Sequence, residues 1–217
     1  MSLSIIVPVY EDREACVSLV PDLLKHGEVV VVDASVEDPV QEQDLPNGVQ
    51  LIRADRAGRG LQMNLGVEHA SGAELLFLHA DTVISDEGFA SLSQVWGEEE
   101  VVGGGFCRRF DSDSWMLRLT ARMADWRGRT YGLFFGDQAI FVRRSVFEKV
   151  GGFRSLNAFE DYDLCIRVRE HGAMRCLSPP ILSSARRFRG GPFKRVVEDF
   201  LLTMRYFFLK RSPFYEE

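Results

Sequence analysis

The 217-residue chain carries a net charge of −6 and is 46% hydrophobic, so one domain of this size can hide about 70% of its unfolded surface without disulfide staples. The acidic balance excludes a general polyanion binder and with it nucleic acid as a partner, while the lack of a roughly 20-residue apolar run or a basic leader argues against a spanning or exported chain. Cys16, Cys107, Cys165 and Cys176 are scattered, with no CxxC pair and no clustering with the four histidines, which reads as reduced thiols in a cytoplasmic protein rather than a zinc site or disulfide framework.

Residues 4–9 are short, β-branched and apolar without alternation, the pattern of a strand buried on both faces. Asp12 is placed to cap a helix running to His26, with Cys16, Leu19, Val20, Leu23 and Leu24 on one face, a kink expected at Pro21 and a stop at Gly27. Glu28–Asp33 (EVVVVD) predicts a second buried strand ending in a carboxylate, and Val49–Arg53 a third. A helix over 60–70 and a strand over 75–81 (LLFLHAD), again ending in an acid, continue a repeated βαβ pattern. In open α/β sheets ligands sit beyond the carboxyl ends of the strands, so parallel neighbours would bring residues 8–11, Asp33 and Asp81 to one crevice.

After a helix over 85–96, the second half predicts a glycine-rich strand at 101–108, a helix at 112–126 and a strand at 139–142. Helices at 145–150 and 161–171 follow, with Gly151 and Gly172 where helix stops belong. No linker, repeat or low-complexity tract interrupts residues 1–217, which read as a single domain. Between Arg186 and Arg211 eight basic residues face only Glu198 and Asp199. There Phe200, Leu201, Met204, Phe207 and Phe208 at helical spacing describe a basic amphipathic helix over 193–215. Such a helix either rests on anionic lipid as a peripheral membrane contact or packs on its own domain or a second subunit, and packing is favoured.

Four groups carry residues suited to chemistry. Asp81 at a strand end suits Mg2+ or Mn2+, which take one or two protein carboxylates and fill their shells with waters and substrate phosphates; a helix cap or turn would use the same residue. Asp33 suits a nucleobase or ribose, or an Asx-turn with Ser35. Arg53, Arg56 and Arg59 before a helix start suit phosphates, or a solvated loop. Glu160 and Asp161 open a helix, where acids complement its dipole but where one facing the crevice could also take a proton from an attacking alcohol.

Taken together, IIVPVYED, VVDAS, GRGLQMNLG, LLFLHAD, FFGDQAIFVRRSVFEKVGGF, FEDYDL and the SARR region resemble, in order and spacing over nearly the whole chain, the family 2 glycosyltransferases of GT-A fold. The likeness is greatest to a small soluble bacterial branch. It implies an α/β fold with a mostly parallel central sheet flanked by helices, a nucleotide half over 1–100 and an acceptor half over 101–217. Carried over by position, Pro8, Val9, Tyr10 and Glu11 match the loop around base and ribose, and Asp33 matches the acid that reads the base. Arg59, with Gln62 and Asn64 behind it, matches the nucleotide-pocket GR segment. Asp81 matches the last acid of the DxD motif and the implied metal ligand, while His79 stands where the family usually has the first Asp. Gly136, Asp137 and Gln138 match an acceptor-side turn, Glu160 joins that side, and Asp161 matches the catalytic base of the ED motif.

The activity so implied is transfer of a sugar from a nucleotide-diphosphate donor to an acceptor hydroxyl, dependent on Mn2+ or Mg2+, by one displacement that inverts the anomeric carbon. Arg186, Arg187 or Arg189 suit a lid over the phosphates, or a solvated surface. The sequence ends soon after its basic stretch, without the transmembrane tail of many polymer-making relatives. Two rival readings use the same crevice: a nucleotidyltransferase acting on a sugar phosphate, which calls for a glycine- and basic-rich loop after the first strand where this chain has Tyr10, Glu11, Asp12 and Arg13, and a non-catalytic nucleotide-sugar-binding module, disfavoured by retention of Asp81 and Asp161.

Overall fold

The computed structural model describes residues 2–156 and 158–184, so the helix expected over 193–215 and the arginines at 186, 187 and 189 lie outside the described residues. Strands β1 (Leu3–Val9), β2 (Glu28–Asp33), β3 (Val49–Arg53) and β4 (Glu74–Phe77) pair in parallel in the order β3-β2-β1-β4. Their register sets Val9 beside Asp33 and Asp33 beside Arg53, so three strand ends lie level along one rim. The sheet continues through antiparallel β7 (Ile140–Arg143), then β6 (Val101–Phe110), β8 (Ala173–Ser183) and the two-residue β5 (Thr82–Val83). All eight strands form one sheet in the order β3-β2-β1-β4-β7-β6-β8-β5, the mixed but mostly parallel α/β architecture expected.

Strands without apolar alternation are explained by cover on both faces. Ile5, Val7, Val29 and Val31 pack in one core with Cys16, Leu19 and Val20 of α1 (Arg13–Leu23) and with Phe89 and Leu92 of α3 (Asp86–Val95). Ile6, Val30, Val32 and Phe77 enter the opposite core with Met63 and Val67 of α2 (Arg59–His69) and with Tyr162, Leu164 and Val168 of α6 (Glu160–Val168). Each such side chain contributes about 1.5–3 kcal/mol by leaving water, which holds the strand ends rigidly enough to carry a site.

Several element boundaries differ from the sequence reading. The strand expected over 75–81 stops at Phe77, where its pairing with Ile140 ends; Thr82 N then bonds His79 O at 3.0 Å, so Asp81 sits in a turn four residues past the strand. Asp12 makes no side-chain cap, and α1 ends at Leu23 with Pro21 in its last turn rather than running to His26. Helix α4 (Trp115–Tyr131) begins and ends later than 112–126 and stops at Gly132, whose φ of 65° is left-handed, a conformation glycine takes without steric cost. Helix α5 (Arg144–Lys149) falls where one was expected.

Strand β8 has no counterpart in the sequence reading. Its Pro179 and Pro180 remove two ladder donors, and it pairs in parallel with β6 with two register shifts, an extra β6 residue between Val101 and Gly103 and extra β8 residues between Leu177 and Ile181. The glycine run of β6 makes that pairing possible: a Cβ on Gly104 would lie 2.0 Å from the Arg175 carbonyl oxygen. The cysteines are free, although the Cys107 and Cys176 sulfurs, on these neighbouring strands, stand 3.3 Å apart. Among the described residues no helix is long and apolar enough to cross a membrane.

Candidate active site

The rim of the parallel strands is held by side chains that bond backbone. Asp33, almost fully buried, accepts from Ser35 N at 2.8 Å and Val40 N at 2.7 Å and pairs with Arg53, whose other nitrogen reaches Val40 O. The Asx-turn with Ser35 is therefore formed, and about three of the four acceptor directions of the carboxylate are taken. Glu11 adopts φ 50° and accepts from Val36 N at 2.6 Å, Glu37 N and Asp38 N, each at 3.1 Å. Those three N–H groups hold its carboxyl below the ordinary range. Gln62 donates to Val9 O at 2.7 Å and Val32 O at 2.9 Å and is buried, so it clamps the tips of β1 and β2. Pro8 and Val9 are buried in β1, whereas Tyr10, the residue after the strand, is 56% exposed. Asn64 exchanges two bonds with the Phe153 backbone, tying α2 to the second half.

The second half meets this rim at Gly136. A Cβ built there would lie 2.7 Å from His79 Nε2 and 3.4 Å from Asp161 Oδ2, so the turn after β4 and the start of α6 converge on one glycine that no other residue can replace without displacement. Gly136 N donates to Asp161 Oδ2, and Tyr162 N to Asp161 Oδ1 at 2.7 Å. Helix α6 is aimed by Phe159, whose φ of 65° and ψ of 22° are left-handed, a strained choice for a non-glycine residue and one found at functional sites.

Burial, and after it the adjacent Glu160 charge, push the Asp161 carboxyl up from 3.8 to about 6, against the pull of Arg59 and the two N–H groups. Glu160, itself buried, pairs with Arg59 Nε at 3.1 Å, so the arginine of the GR segment bridges to the ED pair. The two acids thus differ in their partners: Glu160 takes the Arg59 guanidinium and raises its neighbour, while Asp161 accepts only from the Gly136 and Tyr162 N–H groups among the bonds described.

The turn Gly136–Gln138 is built from beneath. Gln138, fully buried, accepts from Arg127 Nη2 at 2.8 Å and Phe135 N at 3.2 Å and donates to Phe106 O at 3.0 Å. Asp137 pairs with Arg108, and its carbonyl accepts from Ser183 Oγ at 3.1 Å. The Arg127 guanidinium stacks on Phe135 at 4.2 Å and lies 5.5 Å from the Tyr162 ring, and burial lowers its pKa. Neither Arg108 nor Arg127 was singled out from sequence; on a helix that also carries Arg118, Arg122 and Arg129, nothing local distinguishes the one that turns inward.

Asp81 stands slightly apart. Its carbonyl accepts from Ser184 N at 3.3 Å, and its side chain borders a groove of about 800 Å³ between α1 and α3 with Glu14, Ser18, Asp22 and Asp86. Asp161 does not line that groove. No group of three or more His, Cys, Asp or Glu side chains suited to a metal occurs among the described residues. A single hard carboxylate with an imidazole two residues away does not build a resident metal centre, yet it fits Mg2+ or Mn2+ arriving with a diphosphate, which needs only one or two protein oxygens.

Residues 4–157 match the family described as glycosyl transferase family 2, and the chain belongs to that family. Among solved structures it is similar to a mannosyltransferase, PcManGT from Pyrobaculum calidifontis, in complex with GDP-Man and Mn2+, at a TM-score of 0.66 and 18% identity over 94% of this chain and 64% of that one. S. aureus TarS 1-349 in complex with UDP-GlcNAc superposes with a TM-score of 0.63 and 17% identity, over 86% of this chain and 59% of the other. The chain therefore has the GT-A glycosyltransferase fold and spans about three fifths of the length of these neighbours. No curated protein sequence matches it significantly.

Proposed function

We propose that the chain moves a glycosyl group from a nucleotide-diphosphate sugar to an acceptor hydroxyl by a single displacement that inverts the anomeric carbon. The observation that carries this reading is the buried Asp161 carboxylate, raised to about 6 and facing His79 across Gly136. A base whose pKa lies near the working pH combines the ionised form needed to accept a proton with real driving force for taking it. As the acceptor oxygen attacks the anomeric carbon, its proton passes to Asp161, and the bond from that carbon to the diphosphate breaks with its electron pair leaving on phosphate.

Residues 1–100 serve the donor in this scheme. Tyr10 offers a stacking face for the base, Glu11, Asp33 and Gln62 shape the loop and strand tips beneath it, and Arg59 lies between the diphosphate side and Glu160. A divalent cation, Mn2+ or Mg2+, held through Asp81 with His79 close by, would neutralise charge on the departing diphosphate. Gly136, Asp137 and Gln138 position the acceptor side around Asp161. The nucleotide sugars held by the neighbours, GDP-Man and UDP-GlcNAc, support this donor class.

The test is nucleoside-diphosphate release from UDP-, GDP-, dTDP- and CDP-sugars with Mn2+ or Mg2+, with the anomeric configuration of any product read by NMR. Inverted product from the parent, and none from Asp161→Asn, is the expected result. Retained configuration would rule out the single displacement.

A further inference from the structure

Helix α4 presents a face that the proposed chemistry does not use. Its buried side is made of Leu117, Ala121, Ala124 and Gly128. On the opposite side Trp115 is 69% exposed, Leu119 48%, Met123 52% and Trp126 59%. At about 100° per residue these four fall in one stripe roughly 80° wide, and Arg118, Arg122 and Arg129, all exposed, run alongside it. The helix carries four arginines against the one acid Asp125, and Asp125 accepts a bond from Arg108 N at 3.0 Å. The acids just before the helix, Asp111 and Asp113, precede its first turn. This is a positive, apolar strip on a chain whose net charge is −6.

We infer that this face of α4 docks the chain on the surface of an anionic lipid bilayer. Tryptophan with one apolar and one polar edge is the side chain of membrane interfaces, and arginines flanking an apolar stripe match anionic headgroups. Leu119 and Met123, set between the two tryptophans, favour lipid over a carbohydrate, which would call for aromatic faces alone. Arg127, from the same helix, holds the turn beside Asp161, so docking through α4 would bring the acceptor side of the cleft close to the headgroups.

The test is flotation of the full chain with vesicles of phosphatidylcholine alone or mixed equally with phosphatidylglycerol. Binding is expected on the anionic vesicles and not on phosphatidylcholine alone, to weaken with salt, to fall roughly thirtyfold in Arg118→Gln/Arg122→Gln, and to be lost in Trp115→Ser/Trp126→Ser. No flotation of the parent on anionic vesicles overturns the inference. So does flotation untouched by either double variant but abolished by Phe200→Ser/Phe207→Ser, or a dimer in solution that the tryptophan variant dissociates while lipid binding persists. Donor turnover without vesicles should be the same in parent and variants, so flotation and the proposed chemistry fail or stand separately.

Discussion

Asp33 and Asp161 are both buried carboxylates at the mouth of one sheet, yet their surroundings give them different work. Asp33 ends β2 among two backbone N–H groups and the Arg53 guanidinium, so its charge is met by a partner and it serves as a rivet. Asp161 opens α6 with two N–H groups but beside a second acid, and its neighbour Glu160 takes Arg59. A carboxylate supplied with a cation holds structure, and one whose neighbour takes the cation is left ready to accept a proton. The same contrast separates the two halves of the molecule: Glu11, Asp33 and Gln62 stiffen the rim of the parallel strands, and the turn at Gly136 with α6 holds the proposed base in place.

The largest effect that can break this contrast is Asp161→Asn. Loss of a positioned base should lower kcat by about 10²–10⁴-fold without unfolding the chain. The parent's rate should rise as pH passes through about 6, where Asp161 loses its proton. Stability should move the other way. The folded state holds this proton more tightly than the unfolded state, so between about 4 and 6 the fold loses stability as pH rises, by on the order of 3 kcal/mol. Asp161→Asn should flatten that slope in urea titrations, and a slope unchanged by the substitution would refute the raised pKa.

Next in size is Asp81→Ala, which should weaken binding of a nucleoside diphosphate by roughly a hundredfold in Mn2+ and leave binding in a chelator unaltered, measured by calorimetry. Equal affinity of parent and variant in Mn2+ would remove the metal role. Gly136→Ala follows. Its methyl group would press on His79 Nε2 at 2.7 Å, costing about 1–3 kcal/mol and lowering kcat beyond what the fall in Tm explains. Asp33→Asn should cost about 1–2 kcal/mol through the weakened bond to Arg53, raise KM for the donor and spare kcat; a fall in kcat alone would contradict its role as a rivet. The smallest is Glu160→Gln. With the neighbouring charge gone, the Asp161 carboxyl should titrate lower, and the acid limb of the rate profile should shift to lower pH.

Much of the α/β frame was legible in the chain. Uniform apolar runs such as VVVV declared strands covered on both faces, and the acid closing β2 marked a strand end on the rim. The failures are instructive. β8 has no apolar run or alternation to mark it, since Pro179 and Pro180 interrupt it, and its pairing depends on the close approach that Gly104 allows to a segment some 70 residues away in sequence. The strand expected to run to Asp81 ended at Phe77 because its length is set by β7, a partner that lies far along the chain.

The sequence by itself determined which residue types are available, in what order, and which segments must be buried, because hydrophobic periodicity and turn chemistry are local. Only the tertiary structure decided which acids are neutralised and which are left in strained company. That outcome depends on where Arg53, Arg59, Arg108 and Arg127 come to rest after folding, and electrostatic fate follows distance in space and burial, neither of which spacing along a chain records.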